Sequence, residues 1–305
     1  MTIEFIPFEA GNLLDWTALT DALIEGHTRP RAEIGDTFLY RGNDTLLSRA
    51  AWIDGMGIAV KTACIFPGNP ARGTPMINGA VNLYDDAGGT LDAVVDFHLV
   101  TKWKTAGDSL LGARLLARPD SECILIVGAG TVARSLREAY GALFPKARFM
   151  VWNRTPAGAE AMATSYPDTI VATDLETAVR SADIVTSATM SREPLIRGDW
   201  LRPGQHLDLI GAYRPDMRET DDTALRRARL FMDSRDTVLG HIGEFTIPLA
   251  AGVIAPEAVC GDFYDIAAGA FRRDPRDITL FKNGGGAHLD LMTGRYILDA
   301  WRDRG

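Results

Sequence analysis

Cysteine is scarce in this sequence: Cys64, Cys123 and Cys260 are odd in number and far apart. With no CxxC pair and no histidine cluster beside them, neither a disulfide scaffold nor a structural metal site is expected. No stretch approaches the ~20 apolar residues that a membrane helix needs. Positive charge is in deficit. Lys and Arg total 32 against 40 Asp and Glu, a net charge of −8. A field of that sign repels phosphate backbones, so nucleic acid is not an expected partner, nor is a membrane. The opening MTIEFIPFEAGN has no basic segment ahead of an apolar run. No secretory leader is expected, and the cytoplasm is the expected address. Internal repeats and low-complexity segments are lacking too.

What is present is ordinary globular material. Of 305 residues, 46% are hydrophobic and 24% charged, a balance that supports full cores. At about 100–200 residues per domain, the length suits two domains. The first hundred residues form a small α+β pattern. LLDWTALTDALIEG (13–26) has the apolar spacing of an amphipathic helix. DTFLY, TLLSRAAW, GIAVKTACIF, MINGAVNLYD and GTLDAVVDF follow, punctuated by Gly, Asn and Asp, and suggest a mostly antiparallel meander. A helix over 100–117 leads to RPDS, where a domain boundary is expected. From Glu122 the pattern becomes alternating strand and helix, the signature of a doubly wound parallel sheet. The last segment, GAHLDLMTGRYILDAWRD, is helical and is able to return to the first domain. The division is therefore 1–115 plus 288–305, and 116–287.

Gly128-Ala129-Gly130-Thr131-Val132-Ala133 fits GxGxxA between the apolar strand CILIV and a helix. The first Gly permits the tight turn, the second lets backbone approach a pyrophosphate, and the small third residue allows close helix packing. Free N–H groups and the helix dipole then hold the anion. The alternative is a glycine turn in a nucleotide-free fold. The next strand ends in Asn153-Arg154-Thr155, where an NAD enzyme usually carries an acid for the ribose 2′-hydroxyl. A guanidinium there suits a 2′-phosphate, which favours NADP(H) and leaves NAD(H) open. Alternatively, Arg154 is a solvated charge and Thr155 caps the helix beginning at Pro156. Ser187-Ala188-Thr189 closes a further strand with residues small enough for the nicotinamide half to pass.

Several charges stand in unusual places. Lys61 lies within the apolar strand GIAVKTACIF. Burial there requires a negative partner: a substrate carboxylate, or an internal salt bridge, unless the lysine snorkels from an edge. Lys104 has Asp108 at i+4, the spacing of a surface ion pair. Arg29 and Arg31 flank Pro30. Tyr213 follows the strand HLDLIGA, at the end of the sheet where ligands bind. The five histidines show no ligand spacing and read as structural or surface residues.

Taken together, these segments resemble the ornithine cyclodeaminase/mu-crystallin family. They are Lys61 with FPGN, TKWKTAGDSLLGARLLA leading into VGAG, VWNRT, TSATMSREPLI, IGAYRPDMRETDD with FMDSR, and ITLFKNGGGAHLD, in order from about residue 30 onward. The resemblance implies a Rossmann-type sheet inserted into an α+β substrate and dimerisation domain, a homodimer, and a nicotinamide cofactor acting on imino or amino acids. It implies that Lys61 is the active-site lysine. Arg31 matches a carboxylate-binding arginine, with Arg29 the neighbouring candidate. Lys104 stands where the family has a second such arginine, followed by Thr105 as expected. It keeps the charge but loses the bidentate fork. Tyr213 replaces the aspartate of cyclodeaminases and alanine dehydrogenases. A phenol with an ordinary pKa near ~10 is a poor base at neutral pH. The expected function is therefore NAD(P)H-dependent reduction of a cyclic ketimine, with Lys61 and Tyr213 as catalytic residues. The alternatives are a cyclodeaminase or related amino-acid dehydrogenase or diamino-acid catabolic enzyme, and a non-catalytic NADPH-binding sensor or carrier.

Overall fold

The fold is that of a computed structural model, which describes residues 3–304. The chain divides into two compact units: residues up to Thr105 together with those from Gly286 onward, and Ala106–Gly285.

The first unit holds β1 (Glu4–Ile6), α1 (Trp16–Gly26), β2 (Glu33–Arg41), β3 (Asp44–Ile53), β4 (Gly57–Ile65), β5 (Ile77–Tyr84), β6 (Leu91–Asp96) and the start of α2 (Phe97–Leu116). The strands form one sheet in the order β1-β6-β5-β4-β3-β2. Every pairing is antiparallel except β1 with β6, so the expected meander is present. Asp15 caps α1 by accepting from the Ala18 N–H at 2.8 Å, which starts the helix three residues later than the apolar spacing suggested. Strand alternation sets the sheet's faces. Ala51 and Ile53 of β3, Ala59 and Ala63 of β4, Val81 and Leu83 of β5, and Ala93 and Val95 of β6 are all buried. The C-terminal helix Ala287–Arg302 packs on β3, β4 and β5 and against α1. Its Leu289, Leu291, Met292, Ile297 and Leu298 are buried.

The unit boundary falls inside α2 rather than at RPDS. The helix serves two cores: Trp103 stacks on Trp16 at 3.9 Å, whereas Gly112 lies so close to the Phe281 ring that a Cβ would sit 2.6 Å from it.

The second unit contains β7 (Cys123–Val127), α3 (Thr131–Leu143), β8 (Arg148–Trp152), α4 (Pro156–Ser165), β9 (Thr169–Val171), α5 (Leu175–Ser181), β10 (Ile184–Ser187), β11 (His206–Leu209), α6 (Asp222–Arg227), β12 (Arg229–Met232), α7 (Arg235–Val238), α8 (Gly243–Ala250), β13 (Val259–Gly261) and β14 (Thr279–Lys282). Its sheet is wholly parallel, in the order β13-β12-β14-β11-β10-β7-β8-β9. The central strands β7, β10, β11 and β14 are buried at every residue, which explains the wholly apolar CILIV of β7. The order reverses between β7 and β10, and a crevice opens at such a switch point beyond the strand ends. Among the described residues, no helix is long and apolar enough to cross a membrane.

Candidate cofactor cleft and charged pocket

In the second unit a cleft of about 360 Å³ lies at the switch point. Gly128, Ala129, Gly130, Asn153, Arg154, Ala188, Thr189, Met190, Ser191 and Leu195 line it. Gly128 has φ +110°, and a Cβ there would meet the Ala188 carbonyl oxygen at 2.9 Å. Its N–H donates to the Trp152 carbonyl at 2.8 Å. A Cβ on Gly130 would meet nothing within 4 Å, so open space lies over this residue. Gly130 is also the N-cap of α3 and offers no side-chain cap. The first N–H groups of the helix, on Thr131, Val132 and Ala133, are thus available to an anion. Such a cradle fits a dinucleotide diphosphate.

At the other wall, Arg154 is exposed and Asn153 is tied to the Thr155 carbonyl at 2.8 Å. Thr155 is the N-cap residue of α4, yet its side chain makes no capping hydrogen bond. Pro156 supplies the preset first turn.

Beneath the cleft floor is a carboxylate that the sequence did not single out. Glu219 is fully buried. It accepts from Ser187 Oγ at 2.6 Å, from Thr189 N–H and Oγ1 at 2.8 Å each, and from the N–H groups of Gly211 and Ala212 at 2.7 and 3.2 Å. Burial pushes its carboxyl up to about 7, against the pull of Lys282 and with a further push from Glu244. Lys282, fully buried, spends its ammonium on the Leu209 and Asn283 carbonyls at 2.8 and 2.7 Å.

The first unit carries a charged cluster. Lys61 shares its β4 face with buried Ala59 and Ala63, so the pleat directs it inward. Its Nζ donates to Asp290 Oδ1 at 2.9 Å and lies 4.8 Å from the Phe97 ring centroid. Asp290 sits in the first turn of the C-terminal helix, where the helix dipole favours an acid. Arg49 is directly across from Lys61 on β3 and grips Asp36 through two nitrogens, the closest contact 2.6 Å. Burial lowers the Lys61 pKa; Asp290 opposes this, and Lys104 and Arg49 add to the lowering. Burial alone would raise Asp290, but Lys61, Lys104 and Arg49 overcome it and hold the carboxylate below its ordinary range. Asp290 Oδ2 has no hydrogen-bond partner. Three cations, Lys61, Lys104 and Arg49, thus act on Asp290, and Arg49 is itself paired with Asp36.

His288, buried two residues before Asp290, is held well below the usual imidazole range by burial, then by His27 and Lys104. His27 meets it edge-on at 5.5 Å. Arg31 is exposed in the coil ahead of β2. Arg29 is engaged with the Gly55 carbonyl at 2.8 Å and with Glu25. Thr105 is half-buried beside Lys104 in sequence on α2. Tyr213 is 57% exposed in the loop after β11.

Of the residues expected from sequence, the structure brings Lys61 and Lys104 into one electrostatic cluster and the GxGxxA, 153–155 and 187–189 segments around one cleft. Asp290, Arg49, Asp36 and Glu219 were not read from the sequence. Asp290 looks like any first-turn helix acid, and Glu219 lies in the polar run RETDD. A carboxylate able to meet Lys61 was the one usable signal.

A model of a protein family described as the ornithine cyclodeaminase/mu-crystallin family matches residues 51–305. A Δ1-pyrroline-2-carboxylate reductase of Paracoccus denitrificans (strain Pd 1222) is 53% identical over 302 residues, 96% of each chain. The ketimine reductase mu-crystallin of Mus musculus is 31% identical over 245 residues, 80% of this chain and 76% of its own. Among solved structures, the Thermococcus litoralis Δ1-pyrroline-2-carboxylate reductase in complex with NADH and L-proline superposes with a TM-score of 0.88 at 25% identity. The match covers 99% of this chain and 98% of that one.

Proposed function

The chain belongs to the ornithine cyclodeaminase/mu-crystallin family, and we propose that it is an NAD(P)H-dependent reductase of a cyclic α-imino acid, Δ1-pyrroline-2-carboxylate or Δ1-piperideine-2-carboxylate. One observation carries this reading: three cations, Lys61, Lys104 and Arg49, act together on the buried Asp290 carboxylate. Such a cationic cluster suits the carboxylate of a substrate. The relatives named above act on substrates of that kind by their names, and one is held with NADH and L-proline.

In this reading Lys61 and Lys104 hold the carboxylate. Asp290 keeps the Lys61 ammonium charged and pointed despite its burial. Thr105 adds a hydroxyl, and exposed Arg31 a guanidinium. The GxGxxA cradle holds the cofactor diphosphate, and Arg154 with Thr155 takes a 2′-phosphate, which favours NADP(H). The bound cofactor supplies hydride. A protonated imine is already an electrophile, so the protein's contribution is to position the reacting partners rather than to provide a strong base. Tyr213 fits that economy: it contributes a phenolic donor where a base is not needed. The exposed strand β2 supports pairing with a second copy of the chain, and the cytoplasm is the proposed location.

The test is consumption of NADPH and NADH by the pure protein with each cyclic imine at mildly acidic pH. The expected result is oxidation matched by L-proline or L-pipecolate. Ammonia release from ornithine without imine reduction would overturn the reading. Lys61→Met is expected to lower kcat/KM more than about a hundredfold, the scale for losing one partner of a buried charged hydrogen bond.

A further inference from the structure

A buried carboxylate without a guanidinium partner is costly to keep. Glu219 is fully buried, and a cation acting on it, Lys282 of β14, has its ammonium committed to two carbonyls. The other charged group facing it is Glu244 of α8, itself accepting from the Glu219 and Thr220 N–H groups at 2.6 and 3.0 Å. If the fold needed only to fill this space, an amide or apolar side chain would do so at lower cost.

The partners of Glu219 show what the charge achieves. Five groups point at its two oxygens, and all five are donors: the Ser187 hydroxyl, the Thr189 N–H and hydroxyl, and the Gly211 and Ala212 N–H groups. Only an ionised carboxylate offers acceptors alone at both oxygens. An amide in either orientation would turn a donor toward a backbone N–H, and a carboxylic acid fits only if a hydroxyl turns from donor to acceptor. The donors come from two places: the end of β10 with the loop after it, and the loop after β11. Those loops touch: a Cβ on Gly211 would stand 2.0 Å from the Thr189 carbonyl oxygen. Thr189 and its neighbours Ala188, Met190 and Ser191 form the wall of the cofactor cleft.

We infer that Glu219 is a positioning residue for the cofactor: its carboxylate clamps the loops after β10 and β11 together, and so fixes the cleft wall at residues 188–191 for the dihydronicotinamide half of NAD(P)H. The inference rests on the cofactor assignment made above. Protonation of Glu219 loosens the clamp. Cofactor affinity therefore falls as pH drops through the range where this carboxyl takes up its proton, near 7.

The experiment is a fluorescence titration of the intact protein with NADH, which lacks the 2′-phosphate and so adds no titrating group of its own near that range. It is run across pH 5.5–8.5 on the wild type, Glu219→Gln and Glu219→Asp. Wild-type affinity is expected to weaken roughly fivefold or more toward the acid side. Glu219→Gln is expected to bind roughly tenfold more weakly at pH 8 with no acid step, and Glu219→Asp to recover part of the affinity and the step. Circular dichroism confirms that each variant is folded. A folded Glu219→Gln with wild-type affinity and the same pH profile overturns the inference while leaving the cofactor assignment intact. A wild type that shows no step overturns it even if Glu219→Gln does not fold. A wild type that binds neither NADH nor NADPH overturns the cofactor assignment itself.

Discussion

Arg154 is the residue proposed to discriminate between the two nicotinamide cofactors. It is exposed on the cleft wall, and no acid accompanies it in the Asn153-Arg154-Thr155 turn. A 2′-phosphate would meet a guanidinium with no desolvation to overcome beyond its own. Charge-assisted hydrogen bonds of this kind contribute about 1.5–3 kcal/mol. Arg154→Ser is expected to lower kcat/KM with NADPH by roughly ten- to a hundredfold and to leave the value with NADH nearly unchanged. Parallel kinetics with both cofactors check this; an equal loss with both would show that Arg154 does not read the phosphate. The same scale shows how much of the candidate site was legible. Lys61 stood out because a charge inside an apolar strand demands a partner. Asp290 did not, because an acid in a first helical turn needs no special reason. Arg49 did not either, since a sequence does not show which strand lies across from Lys61. Contacts between residues 229 positions apart belong to the fold, not to local pattern.

Among elements, the β7–α3 turn is tightly constrained. Gly128 combines φ +110° with backbone 2.9 Å from where a Cβ would stand. An L side chain meets steric strain of about 1–2 kcal/mol in such a conformation, and here it would also displace the Ala188 carbonyl. Gly128→Ala is expected to weaken NADPH binding more than roughly tenfold while the far-UV spectrum stays native. Calorimetric titration of the folded variant checks it, and unchanged affinity would refute the role given to this turn. The turn was legible because its glycines sit between an apolar strand and a helix whose apolar residues share one face. The short elements were not. β1, β9 and β13 have three residues each, too few for alternation to show, and they are held by strand neighbours rather than by propensity. The helix α8 contains Pro248 and a strand-like GEFTI start, so burial of Phe245 decides its form against its local preferences.

For the whole molecule, the unsolved exposure is at β2. It is the edge of its sheet, all nine residues are exposed, and Phe38, Leu39 and Tyr40 are 48, 61 and 73% exposed. Trp52 on β3 adds a 49% exposed indole. An edge of this length carries unpaired backbone groups and an apolar surface that soluble chains normally cover. Its charges give little protection: Asp36 is spent on Arg49, and Arg41 pairs with Asp44 at 3.0 Å. A second copy of the chain offers the same strand and would cover both apolar surfaces at once. The protein is therefore expected to scatter light as twice 33.1 kDa. Leu39→Asp combined with Tyr40→Asp removes apolar burial of about 1.5–3 kcal/mol per side chain and protomer, and charges the strand, so the variant should run as a monomer at micromolar concentration. Because residues 39 and 40 lie in the first unit, NADPH binding by the second unit should survive the change. A monomeric wild type, or a variant that remains dimeric, would place the contact elsewhere.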